Sequence, residues 1–584
     1  MKKKITILLL TGVMAISTIF GGCRNDNNKK EPTRSFSELC EAFIQYQLEG
    51  DALSAHYTVT DPSKYGVEYS EEDFIVGRLD MENVGEYYDE LRDLLEEFEC
   101  YEDKDLTKEE QYTRKVICAY LEKQLNYEGT DYLTNLFAPS SGIISNLSNN
   151  FVEYAFFEKD DVDEYLLFLK DVPVFMEEVF QFTREQSEKG YFMPAYVAEQ
   201  TIGVCENYLN AKTNPMIVTF EDKLNKLDLS DEEKQNYIEL NKQYVEEYFT
   251  PVYTKSVELL NELKESAKNN GGLSKFGDSG KKYYEAIVKE KTSSDITAEE
   301  LADYLDEALE DSLNALIMMY MKDVDAYENA CLYQPDFDNP NEVMEFLYEN
   351  VSKNFPEPVT DKYIIEYQNP ACEIENVLAY YLSCRVDDVD YNSIKVNGSA
   401  VGDDKMTLYT TLAHEGVSGH LYQFTAFCGN DNIADACKFT DFIGMSEGWA
   451  EYASTICLEY LGISDNYCET IYLNSIISYI VCSRLDVGVN YEGWTLEDAS
   501  DFLDDYYYLT DAFLEEFYYM VIGDPGQFFP YTYGHLQMRE FRAVAEKELG
   551  KDFDEMEYHQ FVLSLGITSL DIMEDELKSW LAEQ

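Results

Sequence analysis

The chain has 584 residues, with 114 Asp plus Glu against 45 Lys plus Arg and a formal net charge of −69. That excess argues against nucleic acid as a partner, because phosphate binding needs a basic face that releases counterions. With 45% hydrophobic and 14% aromatic residues it is not a disordered acidic tail either, and its length admits several domains.

In chain order, Lys2, Lys3 and Lys4 precede an apolar stretch over 5–20 and then Phe20-Gly21-Gly22-Cys23. This resembles a bacterial lipoprotein signal, with Phe20 where Leu is usual. Residues 1–22 then read as a signal peptide and 23–35 as a polar tether lipidated at Cys23. The chain is expected to be exported and anchored to the outer face of the cell membrane through that lipid. No second apolar run approaches membrane-spanning length.

Beyond the tether, helical signals dominate. Thr107 with Glu110, Ser230 with Glu233, Thr297 with Glu300 and Thr495 with Asp498 each place a capping pair ahead of apolar residues at helical spacing. An N-terminal helical region over 36–270 and a second region over 281–584 follow, joined by a Gly-rich loop from Asn269 to Gly280 and expected to form one continuous fold. The best strand signal is Tyr391–Gly398. A mainly α architecture with a small β-sheet near the active site is predicted. Apart from Cys23, the cysteines form no CxxC pair and are widely and irregularly spaced, so they read as mostly reduced core thiols.

Chemistry concentrates in two segments. The chain has only five His, and two of them flank Glu415-Gly416-Val417-Ser418-Gly419 as His414 and His420. Six residues on an ideal helix turn the second ring about 240° away from the first, so one metal is shared only if the helix breaks between them. Gly416, Ser418 and Gly419 permit such a break. Alone, the segment is equally compatible with a capped helix start bearing two incidental histidines. Downstream, Glu447 and Glu451 stand one turn apart on a helix face. One of them can complete a two-His, one-Glu zinc set and the other can accept the remaining ring N–H of a ligand His. Against this, 114 acidic residues make any single Glu weak evidence.

The pattern His414-Glu415-x-x-x-Gly419-His420-x-x-Gln423, followed by Glu447-Gly448-Trp449-Ala450-x-Tyr452, resembles the bacterial "domain of unknown function 885" family, a group of zinc-metallopeptidase-like proteins. Arg484-x-Asp486-x-Gly488 and Pro525-Gly526-Gln527 with Tyr531, Gly534 and Arg542 agree, in order. The resemblance implies a large multi-helix, gluzincin-like metallopeptidase fold with zinc as cofactor and a peptide as substrate. It implies His414, His420 and Glu447 as metal ligands, Glu415 as general base and Glu451 behind a ligand His. Tyr531 would donate to the developing oxyanion, and Arg542 would meet a substrate carboxylate or form a structural ion pair.

Two departures stand out. Ser418 occupies a position where the family usually has Pro, and Asn490 one where it has His, so Asn490 serves as a neutral substrate-binding donor or not at all. His535 lies close enough to Tyr531 to line the pocket, whereas His56 and His559 read as structural. The function expected is a lipid-anchored extracytoplasmic zinc metallohydrolase of peptides. The alternatives are a non-catalytic peptide- or metal-binding lipoprotein and a zinc hydrolase of another amide. No protein partner is indicated.

Overall fold

The computed structural model describes residues 32–584, except Ser266, Ala371, residues 373–376 and Asp403. The signal peptide, Cys23 and the tether as far as residue 31 therefore lie outside the described residues. All four sequence-marked starts cap helices. The Thr297 N–H donates to Glu300 Oε2 at 3.0 Å while the Glu300 N–H donates to Thr297 Oγ1 at 3.2 Å, satisfying two N–H groups that the first turn leaves without partners. Ser230 with Glu233, Thr495 with Asp498 and Thr107 with Glu110 make the same reciprocal pair.

The described chain divides into two compact units. The first holds residues up to Arg114, Gln124–Gly271 and Ile522–Asp524. Its longest helix, α1 (Lys159–Glu188), buries Tyr165, Phe168, Phe175 and Phe182, and around it Tyr154, Phe156 and Phe220 pack edge to face or tilted. His56 belongs to this aromatic core, with its ring stacked on Tyr154 at 3.7 Å.

The second unit holds Lys115–Lys123, Gly272–Val521 and Pro525–Gln584. It contains α2 (Gly277–Thr292), α3 (Ala298–Lys322), a three-stranded sheet, α4 (Lys405–Glu415), α5 (His420–Cys428), α6 (Ile443–Cys457), α7 (Asp465–Val487), α8 (His535–Leu549) and α9 (Glu555–Leu565). Helix α2 starts inside the stretch read as a loop, because Asp278 supplies the acidic first turn that a helix N-terminus favours. Trp449 is the largest fully buried side chain, with Phe355, Tyr422 and His559 against its ring.

The sheet comprises β1 (Ile364–Tyr367), β2 (Ala379–Leu382) and β3 (Ser393–Val396), in the order β1-β3-β2. β3 lies inside the predicted segment, runs parallel to β1 and antiparallel to β2. Tyr381 faces Ile394 across β2 and β3, and the neighbouring Asn397 N–H donates to the Leu378 carbonyl at 2.9 Å. Counting from that bond, the Tyr381 pair is one that exchanges no hydrogen bonds, so its N–H and C=O point to the outer edge of β2. Among the described residues, no helix is long and apolar enough to cross a membrane.

Candidate metal centre

The break expected between the two histidines is present. Helix α4 ends at Glu415, and α5 begins at His420. The Gly416 N–H still donates to the Leu412 carbonyl at 2.9 Å, after which the backbone leaves the helix. Ser418 sits at φ 94°, in the left-handed region, and is fully buried. A Cβ on Gly419 would lie 1.7 Å from the His414 carbonyl oxygen, so only glycine lets the chain fold back over the end of α4. Proline, fixed near φ −65°, cannot adopt the Ser418 conformation, so in this chain the break is held by other means. Ser418 Oγ contacts Cys457 Sγ at 3.0 Å and the Ala413 carbonyl at 3.3 Å, and its carbonyl accepts from Trp449 Nε1 at 2.8 Å.

The fold-back brings the two imidazoles together, their rings 4.7 Å apart and perpendicular. Helix α6 delivers Glu447 to them. Glu447 Oε2 lies 3.2 Å from His414 Nε2 and 3.2 Å from His420 Nε2, and one ligand atom from each of the three residues lies within 4.8 Å of the others. Two ligands held about 2.0–2.1 Å from a tetrahedral ion stand roughly 3.3 Å apart, which matches these spacings. Glu447 Oε2 and His420 Nδ1 are buried and accept or donate no hydrogen bond within the protein. A buried carboxylate oxygen 3.2 Å from two imidazole nitrogens, aligned for a hydrogen bond with neither, fits a cation-binding set.

The surroundings orient these groups. One turn beyond Glu447, Glu451 Oε1 lies 3.3 Å from His414 Nδ1 and accepts from the Tyr479 hydroxyl of α7 at 3.4 Å. Glu415 Oε2 accepts from the Tyr381 N–H on the outer edge of β2 at 2.9 Å, while its Oε1 stands 4.0 Å from His414 Nε2. Burial pushes the Glu415 carboxyl up from its ordinary range, with His414 and His420 opposing. The His414 imidazole is raised well above its usual value, because Glu447 and Glu451 outweigh the burial that disfavours its charge. Glu447 is held well below the carboxylate range, as the attraction of His420 and His414 overcomes burial.

Tyr531 arrives on the π turn Pro530–Gly534, which runs into α8. A Cβ on Gly448 of α6 would lie 2.5 Å from the Gly534 carbonyl carbon, so the paired glycines let this turn touch the helix bearing Glu447. The Tyr531 ring stacks 6.2 Å from His414. Its phenol is held well above the ordinary value by Glu447 first and by burial second, so it retains its proton as a donor.

Other sequence-predicted residues have different surroundings. Asn490 is fully buried on the π turn Gly488–Glu492; its Nδ2 donates to Asp486 Oδ1 and the Val521 carbonyl, and its Oδ1 accepts from the Leu273 N–H. The amide is thus spent on the fold and has no N–H left for a substrate. Arg542 pairs with Glu555 at 2.7 Å and Glu546 at 3.2 Å, the structural alternative weighed from the sequence. His535 is buried on α8 against Tyr472, with neither ring nitrogen hydrogen-bonded. Burial, with Arg539 and His414 nearby, keeps it neutral. His559 is structural: Nδ1 meets the Asn354 carbonyl at 2.6 Å and Nε2 the Tyr452 hydroxyl at 2.7 Å. Sequence reasoning missed Tyr381, whose part is played by a backbone N–H, and Tyr479, which no motif marks.

Solved structures share this fold, among them two lipoproteins by description. One, described as "the putative lipoprotein from Colwellia psychrerythraea", aligns with a TM-score of 0.79 and 16% identity over 95% of this chain and 100% of its own. The other, "a putative lipoprotein of unknown function from Shewanella oneidensis", aligns with a TM-score of 0.63 and 15% identity over 93% and 100%. No curated protein matches the chain. The family model for bacterial proteins of unknown function, DUF885, matches residues 64–577, and the chain belongs to that family.

Proposed function

We propose that the chain is a lipid-anchored, extracytoplasmic zinc metallohydrolase that cleaves peptide bonds. The observation that carries this reading is the convergence of His414, His420 and Glu447 on one point with Glu415 beside them. Those three residues would hold the zinc. When bound, zinc supplies Lewis acidity and brings the acidity of water towards neutrality.

The chain's own groups account for the rest. Glu415, kept in place by the Tyr381 N–H, takes the proton of the attacking water and passes it to the leaving amine; its raised affinity for protons suits both transfers. Tyr531 donates to the oxyanion that develops on the scissile carbonyl. Glu451 fixes the His414 ring and its tautomer. The outer edge of β2 runs beside Glu415; its Tyr381 N–H is taken by that carboxylate, and pairing of an extended peptide with the remaining edge groups would favour a peptide over a compact amide. Export and anchoring rest on the signal ending at Cys23, and the lipoprotein descriptions of the two structural neighbours support them.

Zinc content and peptide cleavage, measured on wild type, Glu415→Gln and His414→Ala, test the reading. Glu415→Gln is expected to keep zinc and lose about 10²-fold or more in rate, and His414→Ala to lose both. Zinc retained with no peptide cleavage in wild type or in Glu415→Gln would favour a non-catalytic binding lipoprotein instead, and cleavage unchanged by Glu415→Gln would remove Glu415 as the base.

A further inference from the structure

Helix α7 turns one face to the Pro530–Gly534 turn. Tyr472, Tyr479 and Ser483 share that face, because residues seven and four apart stand nearly in line on a helix. At one end the Tyr472 ring meets that of His535 at 5.3 Å, and at the other Ser483 Oγ lies 2.8 Å from Thr532 Oγ1. Tyr479 stands between these two contacts. Its ring is 6.0 Å from that of Tyr531 and 6.3 Å from that of Phe528. Its hydroxyl donates to Glu451 Oε1 at 3.4 Å, and the same oxygen lies 3.3 Å from His414 Nδ1. Burial and the Glu451 charge hold the phenol above its ordinary value, so its proton stays available for that bond.

One side chain therefore touches both neighbours of the His414 ring, the carboxylate at its Nδ1 and the Tyr531 ring stacked 6.2 Å away. We infer that Tyr479 is a positioning residue with two separable parts. Its hydroxyl restrains Glu451, and through it the orientation of His414 towards the metal; its ring fixes the Tyr531 phenol. A glutamate has several rotatable bonds to order, and a second contact on the oxygen facing the imidazole lowers that cost. The inference rests on the zinc peptidase reading and adds to it a residue from a third helix.

The test uses the full chain as wild type, Tyr479→Phe, Tyr479→Leu, Glu451→Ala and the double variant Tyr479→Phe with Glu451→Ala. Denaturant unfolding of the metal-free forms selects folded variants, with Tyr479→Met taking the place of a leucine variant that does not fold. Zinc affinity, by competition with a chelator, should fall about 3- to 10-fold in Tyr479→Phe. In the Glu451→Ala background the same change should cost less than about twofold, a non-additivity that a purely structural role would not produce. At saturating zinc, kcat should be about 10-fold or more lower in Tyr479→Leu than in Tyr479→Phe, with similar KM, because only the phenylalanine keeps the ring against Tyr531. A wild-type zinc affinity in Tyr479→Phe, or the same loss with and without Glu451, would overturn the hydroxyl's part. Equal kcat in the two variants would overturn the ring's part. Zinc binding without any cleavage would defeat the peptidase reading and the ring's part together, while the affinity cycle still decides the hydroxyl's. A wild-type chain that binds no zinc would overturn both readings.

Discussion

The indole N–H of Trp449 donates to the carbonyl oxygen of Ser418 at 2.8 Å. The helix that supplies Glu447 therefore also holds the break that turns His420 back towards His414, and the three candidate ligands share one support. Helix, break and ring positions are coupled, so a change at the break should be felt at the candidate metal centre.

Gly419→Ala and Ser418→Pro test that coupling. The alanine Cβ would sit 1.7 Å from the His414 carbonyl oxygen, and proline cannot reach φ 94°. Each variant should lose about 3 kcal/mol of stability or more in denaturant unfolding and lose metal binding with it. Ser418→Pro at wild-type stability would show that the break does not need its left-handed residue.

Glu451→Ala leaves the three ligands intact but removes the carboxylate 3.3 Å from His414 Nδ1. Zinc affinity, measured by competition with a chelator, should fall about 10- to 100-fold. An unchanged affinity would mean that Glu451 does not orient the ring.

Asn490→His restores the residue that the family resemblance leads one to expect, in a place where it does not fit. The native amide makes three buried hydrogen bonds, and imidazole cannot reproduce two donors and an acceptor in that arrangement. Stability should drop by about 2 kcal/mol or more, with no gain in peptide cleavage. A faster enzyme of unchanged stability would place this position in the substrate site after all.

His559 makes stability depend on pH. Burial pushes its imidazole down to about 4, against about 6.5 in the unfolded chain, so between those values the unfolded state binds more protons. Its contribution is complete above pH 6.5 and is lost as the pH falls, by about 2 kcal/mol at pH 5. Between pH 7.5 and pH 5 the urea midpoint should fall less in His559→Gln than in wild type, because Gln has nothing to titrate there. The same pH dependence in both proteins would assign the acid sensitivity elsewhere.

Much of this arrangement is legible in the sequence for local reasons. The capping pairs at Thr297, Ser230 and Thr495 involve groups three residues apart, and Glu447 and Glu451 share a face because helical periodicity requires it. The break between His414 and His420 follows from their spacing and from the residues that permit it. β1 and β2 escape because each is four residues long, lacks clean alternation and finds its partner far along the chain. The part of Tyr381 is invisible for a further reason: a backbone N–H carries no residue signature. Asn490 misleads because the π turn at Gly488 turns it into the core, where Asp486 and Val521 occupy its donors.

Zinc binding by the full chain tests the central claim most directly. Titration of the metal-free protein should give one zinc per chain, with affinity reduced about 10²-fold or more in His414→Ala, His420→Ala and Glu447→Ala while the melting curves show that these variants remain folded. A wild-type chain that takes up no zinc, or variants that bind it as tightly as wild type, would contradict the account.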